Sequence, residues 1–523
     1  MTAEAWTPSQ PLLDEVKRLI TALISERNAP GVAWGLFTRA GLVASGGHGV
    51  AALGGATPTS STVFRVASMS KSFTAAAILT LVEAKRLRLD DPIAEHVAEM
   101  ATTRRYSGDS PLITLAHLLA MSSGLPKDDP WADRQEALHP GVFSRMIAGG
   151  LRTVGAPGVA FDYSNVGYAL LGAVVERVSG MPFVAYVRER LLEPLGLRRT
   201  FYDYTDVAPS ARATGYHDSQ GRWVPEVFTG PGAFSPIGGV LSTVEDMATW
   251  ATWLADGFPP TDDDAPSPLS RASRRSMQTG HIDIPPVLRS GSSRGRATMA
   301  EHTQISSYGY GLFVDHDPVW GNIAQHSGGY PGFGTAMRWH LDSGIGVIVL
   351  ANGRYARSLV IADRALRIAL ADAGAVGRTV RPWPETLRVK DLVTAELLAG
   401  RDPFDLPIYT DNVAMDQPWD QRRADLAVAL ERTGALTAPG GAAPGADFAI
   451  SEAHIGWTLP GARGSLTVEV QLTPQDPPRV QSIKLRSDPT FPPDDVTTIT
   501  RSTAIVGTPI VGTPTAGTPT PTP

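Results

Sequence analysis

A hydroxyl and an amine stand three residues apart at the head of an apolar run: Ser68-Met69-Ser70-Lys71, then residues 73–82. Such a run reads as a buried helix, and on a helix positions i and i+3 share a face about 5–6 Å apart. A neutral lysine amine placed there can take the serine proton and leave a nucleophile. The helix N-terminus adds free backbone N–H groups and a positive field. The plain structural alternative is a helix cap followed by a surface lysine. Lysine is scarce: Lys17, Lys71, Lys85, Lys127, Lys390 and Lys484 are all there are, and Ser68/Lys71 is the sole S-x-x-K pair. At ordinary serine usage such a pair still arises by chance about one time in three, so the motif needs company.

The surrounding pattern supplies a frame. Residues 12–27 read as an amphipathic helix with Leu13, Val16, Ile20, Leu23 and Ile24 on one side, ended by Pro30. Residues 32–38 are apolar and β-prone, Ala40-Gly41 gives turn chemistry, and Leu42-Val43-Ala44 starts a returning strand. A strand hairpin followed by a buried helix predicts a sheet with helices packed on it, an α/β (α+β) fold. Helices are predicted over 113–121, 166–178 (closed by Gly180) and 242–253, the last with a Ser242/Glu245 capping box. Residues 259–307 are rich in Pro, Ser, Asp and Arg and read as a long loop with one helix near 269–277, either a lid-like excursion or an insert. Strands follow at 308–314, 334–340 and 345–350, the last two joined by Asp342-Ser343-Gly344, and a closing helix over 354–373.

At 523 residues the chain exceeds one hydrophobic core, so more than one domain is expected. The first is placed at 1–376, a linker at 377–386, a small α+β domain at 387–500 and a Thr/Pro/Gly tail, expected to be disordered, at 501–523. Within the second, residues 387–400 and a segment with Trp419, Leu426 and Leu430 on one face read as helices. Residues 465–472 alternate strictly, with Leu466, Val468, Val470 and Leu472 facing in, and residues 480–485 are the expected partner strand. The hydrophobic fraction of 42% and net charge of −6, with no basic block, point to a globular chain without a nucleic-acid partner. Cysteine is absent, which excludes disulfides and thiolate chemistry. No leader-like or membrane-spanning run is evident, so no membrane association and a cytoplasmic location are the expectation.

Two further motifs accompany the first. Tyr163-Ser164-Asn165 precedes the helix at 166–178: a phenol near a nucleophilic serine can shuttle protons, and an amide can hold a lysine or a substrate carbonyl. His326-Ser327-Gly328-Gly329 leads into the apolar hairpin, whereas the other H-x-G matches, at His139 and His454, do not. Glycines let backbone approach a substrate closely, and the N–H of Gly329 could face that of Ser68 as an oxyanion hole. Asp315-His316-Asp317 reads as a solvated turn rather than a metal site, Trp250 and Trp253 as core, and Arg271, Arg274 and Arg275 as a solvated face.

In this order, Ser68-x-x-Lys71, Tyr163-x-Asn165 and His326-x-Gly328 resemble the serine β-lactamase and penicillin-binding-protein superfamily, in its tyrosine-containing branch. Ile113-Thr114-Leu115 to Ser123-Gly124-Leu125, Gly238-Gly239-Val240-Leu241-Ser242 and Tyr330-Pro331-Gly332 agree, and the likeness spans roughly residues 10 to 375. It implies an antiparallel sheet flanked by helices plus an all-helical region, with the site between them. It assigns Ser68 as the acylated nucleophile, Lys71 and Tyr163 as the general-base pair, and Asn165 as the group positioning Lys71 and substrate. Main-chain N–H groups of Ser68 and Gly329 would form the oxyanion hole. His326 stands where dedicated β-lactamases carry lysine, and members with histidine resemble D-aminopeptidases, D-specific carboxypeptidases and esterases. The expected activity is therefore hydrolysis of small amides or peptides, D-stereospecific ones foremost, without metal or organic cofactor. A carboxylesterase and a non-catalytic penicillin-recognising or scaffold protein are the alternatives, and a homo-oligomer is a possible assembly.

Overall fold

Strand Gly31–Thr38 is buried at every position, which requires a place inside a sheet covered on both faces. The computed structural model describes residues 6–129, 131–262, 265–289, 302–375, 380–438 and 447–489. It places this strand second in an eight-stranded antiparallel sheet. The order runs Gly41–Gly49, Gly31–Thr38, Gly346–Ala351, Phe333–His340, Gly321–Tyr330, Phe313–Asp317, His302–Tyr308, Ile282–Arg289.

The two-residue period of a strand divides the side chains between two cores. Val32, Trp34, Leu36, Val347 and Val349 pack with helices Gln10–Ser25 and Ser358–Asp372. Ala33, Phe37, Ile348 and Leu350 face the other way, into the large core that holds the helices Ser70–Glu83, Asn165–Ser179 and Val244–Ala255. Helix Ser70–Glu83 is buried nearly all round, as its apolar sequence requires. Phe73 stacks on Trp250 with ring centroids 3.9 Å apart, and the Trp250 indole donates to Ser72 Oγ at 3.0 Å, so Trp250 is core.

Several expectations shift. The 259–307 segment contains the expected helix, at Arg271–Met277, but it also contributes two strands, Ile282–Arg289 and His302–Tyr308, rather than loop. Pro285 and Pro286 hide the first of these; a bulge between Ile284 and Val287 and an edge position accommodate them. The strand expected over 308–314 is broken by a turn around Gly311 (φ +75°) and resumes at Phe313. The cap lies one residue later and is one-sided: Thr243 accepts from the Asp246 N–H at 3.1 Å, while Ser242 lies in a strand and bonds Thr200. Asp315-His316-Asp317 is no solvated turn; it ends a strand, and its two carboxylates are buried against Arg338 and Arg367. Arg274 is likewise buried, paired with Asp256 and stacked over Trp253.

The chain divides after Thr379. The second unit carries helices Pro384–Leu398 and Trp419–Thr433 and a four-stranded antiparallel meander. Its strand Gly464–Leu472 buries Leu466, Val468, Val470 and Leu472, as the alternation requires. The first of its helices begins inside the expected 377–386 linker. The tail at 501–523 lies outside the described residues. No single described helix is long and apolar enough to cross a membrane.

Candidate active site

Ser68 lies in a tight 3-10 turn, Ala67–Met69, one step before the helix that carries Lys71. The residues on either side of it are buried, and Ser68 alone is half-buried, so the turn presents its hydroxyl outward. Ala67 has φ +52°, a conformation that costs an L-residue roughly 1–2 kcal/mol. Its surroundings enforce it. Val66 N–H donates to Val240 O at 2.9 Å, Thr335 Oγ1 donates to Val66 O at 2.8 Å, and Ser70 Oγ donates to Ala67 O at 2.6 Å. The second serine of the motif is thus a brace for the first.

Behind this turn, Arg65 and Glu136 form an ion pair, each side chain 1% exposed. Glu136 also accepts from Thr229 Oγ1 at 2.8 Å and from the Tyr330 hydroxyl at 2.7 Å. Loss of one partner from such a pair costs about 3–5 kcal/mol, so the strand leading to Ser68 is firmly anchored.

Lys71 is fully buried, with Nζ 3.1 Å from Ser68 Oγ and 2.9 Å from the Ile237 carbonyl. Burial pushes its pKa down to about 8, although the charges of Asp129, Asp133 and Asp128 oppose the shift. An amine neutral at mildly alkaline pH can accept the Ser68 proton while donating to Ile237. The carbonyl that holds it belongs to the short turn Ser235–Gly238, a role for Ile237 that the sequence did not show.

Tyr163 lies beside the amine, Lys71 Nζ being 4.9 Å from the ring centroid. Its pKa is raised well above 10, first by burial and next by the Asp129 charge. Asn165 opens helix Asn165–Ser179. Its backbone N–H and its Nδ2 donate to Asp128 Oδ1 at 2.8 and 3.0 Å, and Nδ2 donates to Asp129 at 2.5 Å. That fixes the amide orientation and leaves Oδ1 buried with no hydrogen-bond partner among the described residues. The expected hold on Lys71 is exerted by Ile237 O; Asn165 offers an unused acceptor instead. Asp128 and Asp129, absent from the sequence reading, carry no motif of their own.

His326 is 1% exposed on strand Gly321–Tyr330. Its Nδ1 lies 2.6 Å from the Ser327 carbonyl and therefore bears the proton; its Nε2 lies 3.3 Å from the Tyr308 hydroxyl and accepts from it. Burial, then the Lys71 charge, lower its pKa to about 3, so the ring is neutral. Both nitrogens are engaged within the protein, so this tautomer holds no free N–H for a substrate carbonyl. The ring forms one wall with Phe313 and Tyr163, at centroid distances of 5.3 and 6.3 Å. The other H-x-G histidines serve elsewhere: His139 caps helix Pro140–Ala148, and His454 pairs with Glu469 at 2.8 Å in the second unit.

The glycine pair has a different cause from the one expected. A Cβ on Gly328 would collide with Val66 O, Thr335 Oγ1 and Ala67 Cβ. The glycine therefore lets the strand lie directly on the turn that carries Ser68. A Cβ on Gly329 would sit 2.5 Å from Tyr355 Cδ1. The close approach at both positions is protein on protein, and at Gly328 it lays the strand on the turn that carries Ser68.

Residues 16–371 match the Beta-lactamase family. Protein flp of Staphylococcus aureus (strain MW2) is 27% identical over 306 residues, 57% of this chain and 54% of that protein, so the chain spans about half the length of this curated relative. Two solved structures share the fold. The octameric penicillin-binding protein homologue from Pyrococcus abyssi has a TM-score of 0.56 at 23% identity, covering 90% of this chain and 99% of its own. A D-stereospecific amidohydrolase from Streptomyces sp. has a TM-score of 0.54 at 22% identity, covering 69% and 98%. With the matched span taking in the strained serine turn, the buried lysine and the histidine strand, this chain belongs to the Beta-lactamase family.

Proposed function

We propose that the protein is a serine hydrolase that cleaves small amide or peptide bonds, D-stereospecific ones foremost, through an acyl-enzyme on Ser68. The observation that carries this reading is the 3.1 Å contact between Ser68 Oγ and a fully buried Lys71 amine. Lys71 takes the Ser68 proton as Oγ attacks the substrate carbonyl. The N–H groups of Ser68 and Gly329 stabilise the oxyanion. The proton passes to the leaving amine, with the Tyr163 hydroxyl as the shuttle, and water then releases the acyl group by the reverse path. Asn165 Oδ1 accepts from a substrate amide N–H.

Charge supports an amide or amine-bearing substrate over a carboxylate. The third motif presents a neutral ring where a lysine would clamp an anion, and Asp129, Asp133 and Asp128 bear on Lys71. The fold shared with the Streptomyces D-stereospecific amidohydrolase is consistent with this choice. The test is kcat/KM on matched D- and L-aminoacyl amides beside p-nitrophenyl esters. A D-amide preference is expected; turnover of esters alone would favour the carboxylesterase reading. The octameric Pyrococcus abyssi protein makes a homo-oligomer the assembly to test, by light scattering on the full chain.

Because the active form of Lys71 is the free amine, log kcat/KM for a non-ionising ester should rise about one unit per pH unit below pH 8 and level off above it. A rate that falls above pH 8 would mean that Lys71 works as a cation. His326→Lys should place a cation in the wall, lowering kcat/KM for a neutral amide about 10- to 100-fold and raising the rate of acylation by penicillins, which carry a carboxylate. If neither rate changes, His326 does not border the substrate.

A further inference from the structure

We infer that Tyr355 is a specificity-determining residue of this site, a strut across the cleft that limits the bulk of the acyl group carried by Ser68. The inference rests on Ser68 and Gly329 being the reacting turn and the oxyanion donor, as proposed above.

Tyr355 is a bulky residue with φ +50°, an outlier that persists only where the surroundings demand it. Its N–H donates to Phe333 O at 3.1 Å, which pins its backbone to the hairpin that follows Gly329. The ring then lies so close to Gly329 that a Cβ there would be 2.5 Å from Cδ1. Core packing does not account for it, because the side chain is 40% exposed. Yet its tip is fixed. The hydroxyl donates to Asp133 Oδ2 at 2.9 Å, and Asp133 is 5% exposed, in the turn Ala132–Arg134 of the helical region. From a backbone bonded to the sheet hairpin, one side chain thus reaches the helical region, directly beside the backbone that would hold the oxyanion. Asp133 also lies close enough to Lys71 for each charge to act on the other. Strain in the backbone, exposure of the ring and a buried anchor for its tip together describe a wall placed for a substrate.

Tyr355→Gly removes the ring and suits the positive φ, which glycine adopts without cost, so the variant keeps a folded backbone. The measurement is kcat/KM on p-nitrophenyl acetate and p-nitrophenyl pivalate, which differ only in acyl bulk. The pivalate-to-acetate ratio should rise about 10-fold or more in Tyr355→Gly, on the scale at which pockets discriminate methyl groups. Tyr355→Phe keeps the ring and loses only the bond to Asp133; its ratio should rise about 3-fold, and it keeps the test open should the glycine variant fail to fold. With the acetyl group held constant, the ratio of naphthyl to phenyl ester should stay within about 2-fold, because the wall faces the acyl side. An unchanged pivalate-to-acetate ratio, or a change confined to the naphthyl-to-phenyl ratio, overturns the role of Tyr355. Intact-mass analysis of the same reactions separates the two levels of the claim. An acyl adduct on Ser68 with an unchanged ratio removes Tyr355 alone, whereas an adduct formed elsewhere removes the serine reading and the strut with it.

Discussion

Ser68→Ala is expected to lose about 10⁴-fold or more of kcat/KM for amides and esters alike, as removal of a covalent nucleophile does. The same variant should stay folded. The hydroxyl is half-buried, and the braces of its turn are made by Val66, Ser70 and Thr335, not by Ser68. Its melting temperature should therefore lie within about 2 °C of the parent. Intact mass after exposure to a fluorophosphonate checks both halves of the assignment. The parent should gain a single adduct and the variant none. Full labelling of Ser68→Ala would place the nucleophile elsewhere, and a parent that takes no label would return the chain to the non-catalytic scaffold reading.

What the sequence revealed of this site was what is local along the chain. Ser68 and Lys71 meet because three residues of helical or 3-10 geometry bring them together, whatever else the fold does. The helix at Asn165–Ser179 and its Gly180 C-cap (φ +77°) were equally readable, since apolar periodicity and a terminal glycine are short-range signals. The partners that tune the site come from far away in sequence. Ile237 holds Lys71 across 166 residues, and Tyr308 reaches His326 from a strand that broke where none was expected to break. Asp128 and Asp133 sit in a segment without periodicity, so nothing marked them until the fold placed them near Lys71. Glycine was legible as a requirement for close approach at Gly328 and Gly329, but not what approaches: the serine turn in one case and Tyr355 in the other. Edge strands fared worst. Ile282–Arg289 carries two prolines and a bulge, which an interior strand could not tolerate and an edge strand can.

Lys71→Ala and Tyr163→Phe should each lower kcat/KM about 10³-fold or more, and the double variant should be within about 10-fold of the worse single one. The reason is that, in the proposed mechanism, both serve one proton. Lys71 Nζ is 3.1 Å from the hydroxyl that loses it, and Tyr163 lies against the same amine. Once either group is gone, the path is broken and the other has little left to contribute. Losses that multiply, to about 10⁶-fold, would mean independent roles. The pH profiles of the single variants then say which group is the base. A pKa near 8 belongs to Lys71, whereas burial and the Asp129 charge hold Tyr163 protonated across the whole working range. Tyr163→Phe should therefore keep the rise toward pH 8 at a lower plateau, and Lys71→Ala should lose it. If the rise survives in Lys71→Ala, the first proton does not go to Lys71, and the phenol, against its electrostatic environment, must be taking it.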